Sequence, residues 1–320
     1  MKNLVDVVTF GEAMVVFIAS EEGKFKDVSL YSRGLAGAEL NVAVGLTRLG
    51  HKVKYITRLG KDPYGEYILD FIHKENIDDS GVYLDSRYLT GSYIKSKVKI
   101  GDPEVFYFRQ NSAASHMGPK DIEKTDFEDA RILHVSGITA ALSPSSRDAC
   151  YTAINKARER KMTITFDPNI RRNLWNTEEE MKDVLNNIAV RSDIILPGIS
   201  EGKFLTGREK VEDIADFYLE RGGKAVIIKL GSTGAYYKTS EKTENYVEGF
   251  YVSQVVDTVG AGDAFASGFI SGILEGLSIE DSVMRGNALG AIIVTSKTDN
   301  DALPTKYELE EYMDRVQLLA

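Results

Sequence analysis

The apolar positions follow two rhythms along the chain. Before residue 130 they are irregular. Val5 to Phe10 is a short apolar run closing at Gly11-Glu12, the pattern of a buried first strand. Met14 to Tyr31 alternates weakly, with Val16 and Ile18, then Val28 and Leu30, around a Glu21-Glu22-Gly23 break. That predicts short strands projecting from the main body. Between Gly34 and Gly50, Leu40, Ala43, Val44 and Leu46 recur at helical spacing, and Gly50 supplies a stop. Lys52 to Gly60 predicts a strand, Asp62-Pro63 opens a helix to Glu75, and Val82 with Leu84 marks another short strand. Gly91 to Ile100 and Glu104 to Arg109 predict a strand pair joined at Gly101-Asp102-Pro103. In the first of these, Tyr93, Lys95, Lys97 and Lys99 share one face, and the lysines are expected to be solvated. In the second, Tyr107 and Arg109 share a face by strand alternation.

After residue 130 the pattern turns regular. Strands are predicted at Arg131 to Ser136, Met162 to Asp167, Asp193 to Leu196 and Ala225 to Leu230. Helices are predicted from Ser143-Pro144 to Arg160, through Ser200 and Glu201 to Leu205, over Ser278 to Thr295, and from Thr305 onward. Phe250, Tyr251, Val252, Val255 and Val256 read as a β-rich run. Alternating strands and helices imply an α/β protein with a central, mostly parallel sheet flanked by helices on both faces. The strand pair in the first half implies an additional small sheet covering something. Ligands in such folds bind at the carboxyl ends of the strands. The polar clusters Asp167 to Trp175, Ser200-Glu201 and Gly231 to Gly234 all follow strands, so they are expected to converge on one crevice.

The 320 residues fit one large α/β domain with an appendage, and 43% hydrophobic with 27% charged residues is ordinary for a globular chain. A net charge of −9 argues against nucleic acid or an anionic membrane as partner, though a few local arginines can still hold an anionic substrate. One cysteine, Cys150, rules out an intramolecular disulfide and fits a reducing, cytoplasmic setting. It is expected to be buried in the helix after Pro144. No stretch approaches the roughly 20 apolar residues of a membrane span, and the N-terminus lacks a signal-peptide layout.

The most informative stretch is Asp257 to Phe265, DTVGAGDAF. Gly260, Ala261 and Gly262 let backbone N–H groups converge at the start of a helix, where unpaired amides and the helix dipole favour an anion. Asp263 enters the first turn. A carboxylate there can be a simple capping choice. Beside an anion hole, it also suits a base that takes a hydroxyl proton while the amides stabilise charge on a phosphoryl group. Gly37 and Ala38 permit close approach to the start of another helix, and Asn41, one turn in, can both donate to and accept from hydroxyls.

This string resembles the signature of the ribokinase-like (PfkB) carbohydrate kinases. GAELN at Gly37 to Asn41, FYFR at Phe106 to Arg109, DPNIRRNLW at Asp167 to Trp175, and Asp299-Asn300 extend the likeness over essentially the whole chain. Within the family they are most similar to the 2-keto-3-deoxygluconate kinases. The resemblance implies a ribokinase-like fold in a single domain, residues 1–320. Lid segments near 12–33 and 88–112 are inserted in it, and the exposed face of the lid mediates homo-oligomer contacts. It implies Asp263 as catalytic base. It places Gly37, Ala38, Asn41, Tyr93, Tyr107, Arg109, Arg171 and Asp299 against the sugar. It places Asn169, Lys229, Gly231, Ser232, Gly234, Thr258, Gly260, Ala261, Gly262 and Asn287 against ATP. Glu201 matches the acidic end of the family's Asn-x-x-Glu motif, acting on Mg²⁺ through water, and Gly198 stands where that motif has Asn. Guanidinium suits a planar carboxylate, so Arg109 and Arg171 are the candidates for holding a sugar acid.

The expected activity is therefore ATP-dependent phosphorylation of the primary hydroxyl of 2-keto-3-deoxygluconate. A fructokinase or ribokinase of the same family would share every ATP-side residue. A non-catalytic sugar or nucleotide sensor on this fold is the alternative of another class. A dinucleotide-dependent oxidoreductase is disfavoured, because Gly11-Glu12-Ala13 stands where G-x-G-x-x-G would follow the first strand.

Overall fold

Short aliphatic runs, buried on both sides, build the main sheet. The computed structural model describes residues 5–98, 103–127, 129–296 and 300–317. In chain order its strands are β1 Val7–Phe10, β2 Met14–Ala19, β3 Tyr31–Ala36, β4 Val53–Gly60, β5 Asp78–Asp85, β6 Ser92–Lys95, β7 Val105–Phe108, β8 Ile132–Ser136, β9 Thr163–Asp167, β10 Ile194–Ile195, β11 Ala225–Lys229, β12 Gly234–Thr239 and β13 Glu244–Glu248. Among the described residues, nine of them form one sheet in the order β13-β12-β11-β10-β9-β8-β1-β4-β5. Pairing is parallel from β5 through to β11, and β12 and β13 add an antiparallel hairpin at the edge.

Alternation along the strands feeds two cores. Val7 of β1 and Ile227 of β11 face the helices Ala38–Arg48, Ala261–Glu275 and Ile279–Ile293. Val8 and Ile228 face Pro144–Glu159, Glu178–Ala189 and Val211–Leu219. A sheet covered on both faces needs apolar residues on both, which is why these strands read as continuous hydrophobic runs. Cys150 is fully buried in the second core. Among the described residues, no helix is long and apolar enough to cross a membrane.

The small sheet runs β3-β2-β6-β7. Its inner face is a compact cluster of Met14, Val16, Ala36 and Tyr93, with Ile18, Val105 and Tyr107 against it. Two expectations need correction here. Lys95 is not solvated: the face it shares with Tyr93 is the covered one, and its side chain is only 5% exposed, paired with Asp257. Lys97 is exposed, as expected, and Lys99 to Asp102 lie outside the described residues. The apolar run 250–256 forms no strand. It leaves β13, the outermost strand of the main sheet, as an irregular segment with Tyr251 and Val255 exposed, and its Val256 N–H bonds to the Val294 carbonyl rather than to a strand. The helices Gly137–Leu142, Glu178–Ala189 and Val211–Leu219 and the β12–β13 hairpin go beyond the elements legible in the sequence.

Two close approaches seat the helices that reach the crevice. A Cβ on Gly137 would lie 2.1 Å from the Pro168 carbonyl oxygen, so that glycine lets the helix Gly137–Leu142 abut the turn after β9. Gly11, at the end of β1, leaves room for the Glu39 carboxyl, which a Cβ would meet at 2.2 Å. Glu39 is fully buried, with Thr139 as hydrogen-bond partner of one oxygen. Its other oxygen has no hydrogen-bond partner among the described residues. Burial above all pushes its pKa from 4.5 up to about 8, so it is protonated at neutral pH.

Gly137→Ala should cost about 1–3 kcal/mol in urea unfolding, because overpacking meets backbone that cannot yield. The Glu39 shift fixes a pH dependence. Across the window from 4.5 to about 8 the unfolded chain has released a proton that the folded chain keeps, so this group lowers stability as pH rises. Glu39→Gln removes that dependence. Its stability relative to the unsubstituted protein should rise by up to a few kcal/mol between about pH 5 and 8. A stability difference that stays flat with pH would mean that Glu39 is ionised in the fold.

Candidate active site

The carboxyl ends of β9 and β11, the small sheet and the start of the helix Ala261–Glu275 enclose a cleft of about 1040 Å³. The helix begins after Gly260, whose φ of 82° is left-handed and whose N-cap position carries no side-chain cap. The Ala261 N–H turns back to the Thr258 carbonyl at 3.3 Å, and Gly260, Ala261 and Gly262 line the cleft. Asp263 sits in that first turn at 8% exposure. Two amide groups from distant elements hold its carboxylate. Asn41 Nδ2 donates to Oδ2 at 2.8 Å, and Asn169 Nδ2 donates to Oδ1 at 3.1 Å. Asn41 is itself fixed by Asn300, whose Nδ2 donates to Asn41 Oδ1 at 3.2 Å. Asn169 takes a left-handed φ of 40° just past β9, which turns its amide toward Asp263.

On one side of Asp263 lies a charged cluster. Lys229 Nζ donates to Asp167 Oδ2 at 2.6 Å. Burial alone would lower the Lys229 pKa, but the Asp167 and Glu201 carboxylates outweigh it and hold the ammonium charged. Glu201 is pushed up, first by burial and then by the Asp167 charge. Its two oxygens accept the backbone N–H groups of Ile170 and Gly198, each at 2.7 Å. No group of three or more acidic, His or Cys side chains suited to a metal occurs among the described residues. With both Glu201 oxygens taken up by amides, this donor set fits Mg²⁺ held mostly by phosphate and water. A Cβ on Gly262 would sit 3.3 Å from Lys229 Nζ, and Gly234, at φ 108°, lies against the Val247 carbonyl. Asn287 lines the cleft, but its amide nitrogen donates to the Val247 and Glu248 carbonyls, which anchors the end of β13.

On the other side the small sheet supplies the wall. The Tyr93 and Tyr107 rings lie 5.2 Å apart, and the Arg109 guanidinium stands 5.4 Å from the Tyr107 centroid. Arg109 is ion-paired with Glu12, which also accepts from the Ser112 hydroxyl. Arg109 Nε is buried with no hydrogen-bond partner among the described residues. Arg171 is exposed. Its guanidinium donates to the Ile170 carbonyl and pairs with no carboxylate among the described residues.

Gly37, Ala38, Asn41, Tyr93, Tyr107, Arg109, Asn169, Arg171, Glu201, Lys229, Gly231, Ser232, Gly234, Thr258, Gly260, Ala261, Gly262, Asp263 and Asn287 all line this one cleft. Asp299 lies outside the described residues. Three residues gained a place that sequence reasoning had not assigned. Glu12 had read only as the end of a strand, Asp167 as part of a motif, and Asn300 as the neighbour of Asp299. A buried Glu at a strand end demands a cationic partner, but nothing local says which one.

Comparison with known proteins agrees with this geometry. Over 96% of this chain and 95% of its own length, a 2-dehydro-3-deoxygluconokinase from Bacillus subtilis (strain 168) is 48% identical. The crystal structure of a PfkB protein from Polaromonas sp. JS666 superposes with a TM-score of 0.88 at 42% identity, covering 96% of this chain and 99% of that one. A putative ribokinase II from E. coli, solved in complex with ATP and Mg²⁺, gives 0.89 at 27% identity over 98% of this chain and all of its own. The model of the family described as pfkB family carbohydrate kinase matches residues 5–306. A glycine cradle with a doubly anchored aspartate and a family match over nearly the whole length lead to one conclusion: this chain belongs to the pfkB family of carbohydrate kinases.

Proposed function

We propose that the chain phosphorylates the primary hydroxyl of 2-keto-3-deoxygluconate, using ATP and Mg²⁺. The observation that carries this reading is the Asp263 carboxylate, held by two amides at the mouth of an uncapped helix N-terminus. Asn41 and Asn169 keep it fixed and aimed. The Asp263 carboxylate accepts the proton of the acceptor hydroxyl, and that oxygen attacks the γ-phosphorus in line. The amides following Gly260, with Arg171, stabilise the charge that develops. When bound, ATP supplies the phosphoryl group and Mg²⁺ offsets the charge of its oxygens. Lys229, Asp167 and Glu201 line the cleft beside that position. Gly198 offers only its N–H there, and that is taken up by Glu201.

A sugar acid is favoured by the arginines. The Glu12 pair orients Arg109 without exhausting its five donors, and Arg171 has no carboxylate partner among the described residues. The relative named 2-dehydro-3-deoxygluconokinase, at 48% identity, supports the same substrate. Fructose or ribose would offer neither guanidinium a substrate carboxylate. Asp299 is assigned to a sugar hydroxyl in this reading, and the small sheet, carried by segments 12–33 and 88–112 of a single 1–320 domain, is assigned as lid. Its outer face shows Phe106 and Phe108, 55% and 56% exposed with rings 5.1 Å apart. That pair supports self-association through the lid, and the single buried Cys150 fits a reducing cytoplasm.

Initial rates with 2-keto-3-deoxygluconate, fructose and ribose should rank the acid first by kcat/KM. Arg109→Ala and Arg171→Ala should each erode that preference, and a preference for fructose would overturn the sugar-acid reading. Asp263→Asn should lower kcat by about 10²–10⁴-fold while nucleotide binding and the melting temperature persist. A folded Asp263→Asn protein with normal turnover would remove the base. Light scattering should report an oligomer that Phe106→Ser combined with Phe108→Ser converts to monomer.

A further inference from the structure

The loop that enters the Ala261–Glu275 helix is poorly anchored by packing. Val255, Val256 and Val259 are 56%, 43% and 38% exposed, so little apolar burial fixes the backbone that sets the amide cradle. Polar ties do it instead. The Val256 N–H donates to the Val294 carbonyl at 2.8 Å. Asp257 Oδ1 accepts the Val259 N–H at 3.0 Å, which folds the loop on itself one residue before Gly260. The other oxygen, Asp257 Oδ2, accepts from Lys95 Nζ, which arrives from the small sheet, 162 residues away in sequence. Both partners are largely buried, at 5% and 15% side-chain exposure.

Lys95 ends β6, a strand held on both edges: Lys95 lies opposite Ile18 of β2 and Val105 of β7. Tyr93 is two residues earlier on the same face, against Tyr107 in the cleft wall. One stiff strand therefore carries an acceptor-side aromatic and a cation seated on the nucleotide-side loop. Lys97, two residues on, is exposed and donates to the Ser20 carbonyl, so among the described residues it is Lys95 that reaches the loop.

We propose that Lys95 is a positioning residue that ties the small sheet to the cradle loop through Asp257, so that acceptor bound against β6 tightens nucleotide binding at the cradle. The inference rests on the kinase reading of the cleft. It adds a coupling between the two substrate sites that neither site contains by itself. An ammonium withdrawn from a buried carboxylate leaves both charges poorly solvated, so movement of β6 and rearrangement of the loop are penalised unless they occur together. Coupling between sites in proteins is typically about 5–150-fold in affinity, and it is reciprocal.

The test is calorimetric titration of the intact protein with a non-hydrolysable ATP analogue and Mg²⁺, with and without saturating acceptor. The acceptor is whichever of 2-keto-3-deoxygluconate, fructose and ribose shows the highest kcat/KM. If that proves to be fructose, the substrate reading fails and the coupling test runs unchanged. In the unsubstituted protein, acceptor should lower the Kd of the analogue at least about 5-fold. Lys95→Met should bring that factor close to one and lower kcat, and Lys95→Arg should restore much of both. Should Lys95→Met fail to fold, the doubly neutral Lys95→Met/Asp257→Asn protein carries the test, since no unpaired charge is buried in it. A Lys95→Met protein that keeps the full acceptor effect, or an unsubstituted protein with none, would overturn the proposal.

Discussion

The pair of amide hydrogen bonds to Asp263 is the interaction around which this molecule is arranged. A carboxylate at 8% exposure needs donors on both oxygens, and it takes them from residues 222 and 94 positions away in sequence. Asn41 reaches it because the helices Ala38–Arg48 and Ala261–Glu275 lie against each other, with Gly45 so close that a Cβ there would strike the Ser267 side chain. Asn169 reaches it because β9 ends in a left-handed turn packed under Gly137. Loss of either helix contact or turn geometry would misplace an amide and leave the carboxylate under-solvated.

Around that centre, buried charges are matched in pairs or silenced. Glu12 holds Arg109, Asp167 holds Lys229, and Asp257 holds Lys95. Such pairs contribute little net stability, since desolvation offsets attraction, but each fixes which group points where. The exception shows the same rule from the other side. Glu39 has no ion-pair partner among the described residues; burial outweighs the more distant Arg109 charge and pushes it up to about 8, so it remains neutral at the start of the Ala38–Arg48 helix. The cleft thus keeps its uncompensated charge for the ligands. Arg171 is exposed at its rim, and Gly260, Ala261 and Gly262 line it.

The main sheet was legible because its physics is local. Runs such as Val7–Phe10 and Ile132–Ser136, spaced by helical periodicity, admit few arrangements other than a parallel sheet covered on both faces. The β12–β13 hairpin was not legible, since its outer strand is exposed at all but Val247 and lacks a strong apolar pattern. The run 250–256 misled for the opposite reason. Its valines and aromatics have strand propensity, but propensity yields to context: the segment runs to the end of the Ile279–Ile293 helix, where the Val256 N–H meets the Val294 carbonyl, instead of along the open edge of β13.

The sequence by itself determined the parallel α/β architecture and the glycine turn before Asp263, while the residues expected in the cleft came from its resemblance to a known family. Spacing and strand-end position are properties of the chain, so they survive without coordinates. Only the tertiary structure decided which face of β6 is inside, that Lys95 reaches Asp257, that Glu12 takes Arg109, and that Asn287 anchors a strand end with its amide. Each of these is a pairing of side chains far apart in sequence. Strand alternation says that two residues share a face, but the partner that covers that face is chosen by how separate elements pack.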